Sequence, residues 1–372
     1  MKRDIGLMVG IKRHMQDILI ELIQMRSETD KDKNELIDYI RGITEEIGLA
    51  IENTADSPSP VLLAHHGKEG NVVFVGHLDS HIPGDDWNYS QGQSMNGKIY
   101  GSGTIDMKGA VVSMLFAAQE LVKRDIPFAL SFTTDSESHM RGAEYLSKKS
   151  YLRKASSIVV GEPTDMNVGI AEKGVLDLTL SVHGKSAHGS TPYLGDNAII
   201  KTIRMIRSID NFKDEGDSPL LDKISVNVAT ITGGTRYNMV PSRCEVGVDI
   251  RYPPPYKSDE VYNMVKNHLT KMKKKFTLAK RFELPAISIN TDSEHISKMM
   301  EIAKGSLMTV EYTTEAVRYY DVNNKIVLFG CGDNEMLYQP DEYVRLEDVI
   351  KAAEIYRKFA IAMYDFKKEK SS

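Results

Sequence analysis

The chain has 372 residues, 41 % hydrophobic and 27 % charged, with a formal net charge of −5. That length exceeds one ordinary domain and suits two, and the composition is that of a globular protein with a sizeable core. There is no basic stripe with interleaved aromatics, no apolar run of ~18 residues and no Cys-x-x-Cys, only the distant Cys244 and Cys331; this argues against nucleic-acid binding, a membrane span, a disulfide framework and a structural zinc finger.

At the N-terminus Ile11, Met15, Ile18, Leu19, Leu22 and Ile23 recur at helical spacing. Lys12, Arg13 and Asp17 interrupt the stretch, so it reads as an amphipathic helix rather than a signal peptide, and the expected location is the cytoplasm. Residues 34–49 repeat the helical pattern. Short Val- and Leu-rich runs at 60–65 and 71–76 follow, the second continuously apolar, as in a strand buried on both faces. A helix is predicted over 107–124, then strands over 128–134 and 157–160. Strands alternating with helices imply an α/β layer with a mostly parallel sheet flanked by helices.

Beyond about residue 172 the texture changes. Residues 175–182, 224–231 and 244–250 alternate apolar with polar side chains, and 197–209 and 258–276 read as helices. Half-polar strands with helices describe a small α+β unit with one exposed sheet face. A helix over 295–307, a buried strand over 325–329 and a closing helix over 346–364 return to the first texture. The expected organisation is a discontinuous catalytic domain, 1–172 with 288–372, carrying an inserted α+β domain over 173–287.

Four clusters carry chemistry. His77 and Asp79, in Gly76-His77-Leu78-Asp79, end a buried strand, the edge where open α/β sheets bind ligands. Two residues apart, both point the same way, so Asp79 can orient an imidazole that ligates a metal. Asp106 follows a glycine-rich stretch and precedes a helix, where it is either a metal ligand or an N-cap. Asp135-Ser136-Glu137 and Gly161-Glu162-Pro163 end two further strands. One imidazole with several carboxylates suits zinc, cobalt or manganese, and a shared carboxylate can bridge two ions.

These clusters, with segments 97–109, 184–199, 233–251 and 329–342, resemble the M20 family of metallopeptidases and aminoacylases in order and spacing. Similar members include succinyl-diaminopimelate desuccinylases and acetylornithine deacetylases. The resemblance implies that His77, Asp106 and Glu162 hold one ion, that Asp106 as a bridge and Glu137 serve a second, and that Asp79 orients His77. It further implies a homodimer in which His188 crosses the interface to stabilise the oxyanion, and a substrate carboxylate bound by Asn238 and Arg251. A surface ion pair is the alternative for Arg251.

Two positions depart from the family. Ser136 stands where the general base is expected, and a serine hydroxyl cannot accept a proton from the attacking water near neutral pH, a loss worth ~10²–10⁴ in rate. Tyr338 stands where a histidine closes the second metal site, and a phenol of pKa ~10 is a poor ligand. One strong zinc site with a second weak or empty is therefore expected. His139, two residues past Glu137, and His81 are candidate substitutes, each with the plainer alternative of a loop histidine. The leading reading is a metal-dependent amidohydrolase that removes the acyl group from an N-acyl amino acid or cleaves a short peptide. The alternative is a catalytically impaired protein that binds a metal and a carboxylate ligand.

Overall fold

Runs of Val, Ile and Phe without charges suit strands covered on both faces, and Val72–His77, Phe128–Thr133 and Ser157–Val160 are buried along their whole length. The computed structural model describes residues 2–28, 32–212, 220–221 and 223–371. The chain divides into two compact units. The first comprises Met1–Ile170, Ile289–Met308 and Thr314–Ser372, the second Ala171–Ser288 and Thr309–Thr313.

In the first unit the sheet runs Ala50–Ile51, Leu62–His66, Phe128–Thr133, Val72–His77, Ser157–Val160, Ile326–Leu328. Val72–His77 is parallel to both neighbours, and Ile326–Leu328 is parallel to Ser157–Val160. The first two strands are antiparallel additions at one side. The register sets His77 opposite Thr133 and Val75 opposite Val160. Three parallel strands thus end at one edge, and the chain leaving each carries His77 with Asp79, then Asp135 to Glu137, then Glu162.

Helix Gly109–Lys123 is almost wholly buried, between Val72–His77 and the closing helix Leu346–Ser371. Tyr356 of the closing helix packs on Phe74 and Phe329 at ring separations of 5.3 and 5.7 Å, and its hydroxyl donates to the Phe329 carbonyl at 2.7 Å. A buried tyrosine placed this way adds apolar area without leaving its hydroxyl unpaired.

The second unit is a four-stranded antiparallel sheet, in the order Ser225–Gly233, Arg243–Tyr252, Gly174–His183, Phe276–Leu284. Its core sets Leu176, Leu178, Leu180, Val246, Val248 and Ile250 against Met205 and Ile209 of helix Ala198–Asp210 and Val261, Val265 and Leu269 of helix Ser258–Thr270.

Three expected elements differ. The helix read over 258–276 stops at Thr270. Lys273 takes φ 50°, and Phe276–Leu284 becomes an edge strand. Phe276, Leu278, Phe282 and Leu284 carried its period of two. Lys280 hid it, and the register shifts there between Lys280 and Phe282. The helix read over 295–307 ends at Ala303 with Lys304 left-handed, and Leu307–Val310 is a strand. The helix expected from 107 begins at Gly109. No helix among the described residues is long and apolar enough to cross a membrane.

Candidate metal centre

One ligand atom each from His77, Asp106 and Glu162 lie within 4.8 Å of one another, and all three residues are buried. His77 Nε2 is 3.0 Å from Asp106 Oδ1. On the far side of the ring, Nδ1 lies 3.1 Å from the Asp79 carbonyl and 3.5 Å from Asp79 Oδ1. With the Nδ1 proton donated to the Asp79 main chain, Nε2 is the nitrogen turned to the carboxylates; it donates its own proton to Asp106, and it is the nitrogen that a metal would take in place of that proton. Burial alone pushes the imidazole pKa down, but Asp106, Asp79 and Glu162 raise it well above its ordinary value. The pocket therefore attracts positive charge at this ring, whether a proton or a metal ion.

Asp106 sits in a wide turn, Thr104–Lys108, with φ −122° and ψ 84°, before helix Gly109–Lys123 begins. It is not the residue next to that helix, and no side-chain capping hydrogen bond joins them; the N-cap alternative fails. Gly103, at φ 79°, opens the turn, and a Cβ there would come within 2.9 Å of Ser80 Cβ. Only glycine combines that backbone with that approach.

The Asp79 carboxylate is fully buried and accepts the Ser136 N–H at 3.2 Å and the Glu137 N–H at 2.9 Å. It thereby ties the 136–137 turn to the His77 strand. Glu137 is half-buried, and its Oε2 accepts the Tyr338 hydroxyl at 2.7 Å. Its Oε1 is shielded from solvent and has no hydrogen-bond partner among the described residues. Burial raises the Glu137 pKa to about 7, with Asp106 adding and His77 and Tyr338 opposing. Tyr338 is 55 % exposed and takes the left-handed φ of 57°, uncommon for a bulky side chain. Its ring meets His81 edge-on at 4.6 Å. Burial lowers the pKa of His81.

Asp135 is occupied elsewhere. Its two carboxylate oxygens accept the N–H groups of Arg141 and Gly142 at 2.8 and 2.9 Å, which caps helix Arg141–Ser147. His139 is exposed on the loop and is not among the clustered ligands.

In the second unit, His188 is exposed, with Nδ1 2.7 Å from Ser190 Oγ. Asn238 is exposed, and its carbonyl accepts the Gly189 N–H at 2.8 Å. Arg251 lies within strand Arg243–Tyr252, its guanidinium bound to both Asp249 oxygens at 2.9 and 2.7 Å. That is the ion pair weighed from the sequence as its alternative role.

A sequence profile of peptidase family M20/M25/M40 matches residues 73–362. The chain belongs to that family. Relatives include an acetylornithine deacetylase from Myxococcus xanthus, 28 % identical with 90 % of this chain and 93 % of the relative covered. A probable succinyl-diaminopimelate desuccinylase from Staphylococcus epidermidis is 24 % identical, with 91 % and 95 % covered. Among solved structures, an M20 metallo-carboxypeptidase from Sulfolobus solfataricus superposes with a TM-score of 0.78 at 18 % identity, covering 93 % of this chain and 98 % of its own. A dinuclear metal-binding M20 peptidase from Bacillus subtilis gives 0.70 at 14 %, covering 96 % and 99 %. These bear out the mixed α/β fold and the resemblance, and membership supports a deacylase-like hydrolase of amide bonds over the impaired binder.

The M20 donor set fits a divalent ion. One imidazole nitrogen and two carboxylates are buried together, and Asp79 adds a further buried carboxylate beside them. Glu137 is not among the clustered ligand atoms.

Three buried groups behind the M20 site escaped the sequence reading. Glu342 Oε1 accepts the Thr104 hydroxyl at 3.1 Å and the Ile105 N–H at 3.0 Å, bracing the Asp106 turn, and burial raises its pKa to about 8. Lys108 donates to Ser27 Oγ at 2.8 Å, and burial lowers its pKa to about 8 against the pull of Asp79, Glu342 and Glu28. Glu315 accepts the Thr133 hydroxyl at 2.5 Å beside the His77 strand, and burial raises its pKa to about 8. Glu342 and Lys108 lie inside segments named for their likeness, 329–342 and 97–109, and Glu315 does not; for all three only the fold reveals burial.

Proposed function

We propose that this M20 protein removes the acyl group from an N-acyl amino acid, or cleaves a short peptide, using one divalent ion of the zinc, cobalt or manganese class. The buried grouping of His77, Asp106 and Glu162 within 4.8 Å carries the reading. A divalent ion held there supplies Lewis acidity for amide hydrolysis. His77 is kept in its ligating tautomer by the Asp79 main chain, and the Asp79 carboxylate fixes the turn that carries Glu137. The deacetylase and desuccinylase relatives support an acyl amino acid as substrate.

Asn238 and Arg251 would bind the substrate carboxylate, with Arg251 exchanging Asp249 for it, and His188 would serve the oxyanion of a partner protomer. A homodimer is supported by exposed apolar side chains in the second unit, Ile200 (51 %) and Ile203 (42 %) on helix Ala198–Asp210 and Ile231 (53 %) on the outer strand. Exposed apolar side chains beside an unpaired strand edge invite a second copy. A monomer-sized peak in solution would undo the dimer and the His188 role. A cytoplasmic location agrees with two buried free cysteines.

The test is hydrolysis of N-acetyl, N-succinyl and dipeptide substrates with added zinc, cobalt or manganese. Turnover is expected for the wild type and not for His77→Ala. Equal rates for the two would sink the metal-dependent reading.

A further inference from the structure

Of the groups near the missing base at position 136, each but one is unsuited, exposed or committed elsewhere. His81 meets the Tyr338 ring edge-on and has its ring nitrogens within hydrogen-bond distance of the Ser102 hydroxyl. The Ser136 hydroxyl cannot take a proton near neutral pH. Both oxygens of Asp135 hold the start of helix Arg141–Ser147, and His139 is exposed on its loop. Glu137 remains. Its main chain is fixed by Asp79, one of its oxygens is fixed by Tyr338, and the other is buried with no partner among the described residues. A buried carboxylate oxygen left unpaired is costly unless a water, a substrate proton or a cation meets it. Tyr338 is the residue that stands in place of a second-site histidine, so the same substitution that removes a metal ligand supplies the hydrogen bond that holds Glu137.

We propose that Glu137 is the general base of this enzyme, with Tyr338 as its positioning residue, and that the pair takes the place of a second metal ion. The assignment rests on the hydrolase reading above. Water adds to the acyl carbon, forming the new C–O bond as the carbonyl π pair moves onto oxygen and one water proton passes to Glu137 Oε1. On collapse the carbonyl re-forms, the C–N bond breaks with its electron pair on nitrogen, and Glu137 returns the proton to that nitrogen. The new carboxylic acid loses its remaining proton to solvent or to the amine, giving carboxylate and ammonium. Nothing is oxidised or reduced, and Glu137 ends as it began.

The experiment pairs metal counting with kinetics. Wild type, Glu137→Gln and Tyr338→Phe are saturated with zinc, freed of excess, and analysed for zinc per chain; kcat and KM are then measured on the best substrate of the panel. One zinc per chain is expected in all three. Glu137→Gln should lose ~10²-fold or more in kcat with KM kept, and Tyr338→Phe a smaller part of kcat, again with KM kept. Retention of the one zinc shows that the variants are folded. Two zinc ions in the wild type falling to one in Glu137→Gln would make Glu137 a ligand and overturn the proposal. So would undiminished kcat in Glu137→Gln. Wild-type turnover no higher than that of His77→Ala fails the hydrolase reading first, and the base assignment with it.

Discussion

His77 and Glu162 leave buried strands and Asp106 a buried turn, whereas Ser136, Glu137 and Tyr338 sit on loops, half-buried or exposed. The first group is backed in depth: Asp79 behind His77, Glu342 and Gly103 around Asp106. The second group is tied to the first by the Ser136 and Glu137 main-chain N–H groups, which donate to Asp79, and internally by the Tyr338 hydroxyl, which donates to Glu137. Ser136 and Tyr338, the two positions at which the sequence resemblance implies a departure, both fall in the second group. A ligand on a braced buried turn cannot change without leaving several other groups unpaired, while a loop side chain can be exchanged for another that finds a partner. The difference teaches that one half of the site is constrained by the fold and the other only by chemistry.

The largest effect should come from breaking the braced half where it does not touch metal. Glu342→Ala orphans the Ile105 N–H and the Thr104 hydroxyl, two buried donors, each worth ~1–3 kcal/mol when left unpaired. Stability should fall by several kcal/mol in a denaturant titration, and zinc affinity by ~10-fold or more as the Asp106 turn loosens. Glu342→Gln keeps an acceptor and should recover most of both. Unchanged zinc affinity in Glu342→Ala would show that the Asp106 turn needs no brace, and the contrast between the two halves would weaken.

How much of this was legible beforehand follows the same division. His77, Asp106 and Glu162 were readable because strand ends and a glycine-rich turn mark them locally, and the parallel order of strands then sets them at one edge. The edge strand Phe276–Leu284 was not, because Lys280 breaks the apolar alternation and the preceding lysines extend a helical pattern. Nor was the capping role of Asp135, since its partners, Arg141 and Gly142, are beyond the turn in sequence and meet it only once helix Arg141–Ser147 forms. Burial of Lys108 and Glu315 is tertiary and leaves no local trace.

A second, smaller effect concerns pH. Glu315 carries its carboxyl among His77, Asp79, Asp135 and the Thr133 hydroxyl, with burial lifting its pKa from 4.5 to about 8. A folded-state pKa above the unfolded one means that the contribution to stability is full below about pH 4.5 and is lost as pH rises towards 8, at ~1.4 kcal/mol per pH unit as an upper bound. Glu315→Gln does not titrate. Measured without metal, its stability relative to the wild type should therefore improve steadily from pH 5 to pH 8. A constant difference across that range would mean that Glu315 is ionised in the fold, and that the backing of His77 is charged rather than neutral.

The smallest effect is expected at Asp135, and it sharpens the comparison most directly, because this carboxylate lies beside the vacant base position yet serves the scaffold. Asn at 135 retains an oxygen for one of the two helix N–H groups and loses the other acceptor. The loss of part of a helix cap costs ~0.5–2 kcal/mol, a shift of a few degrees at most in thermal unfolding for a chain of this size. Were Asp135 the proton acceptor, Asn would instead cut kcat by ~10²-fold or more with little change in stability. The two roles thus move different observables. A modest fall in unfolding temperature with kcat kept within ~3-fold is the expected result, since that lies well below the ~10²–10⁴-fold typical of losing a general base. The reverse pattern would return Asp135 to the chemistry and leave Glu137 free to ligate a second ion.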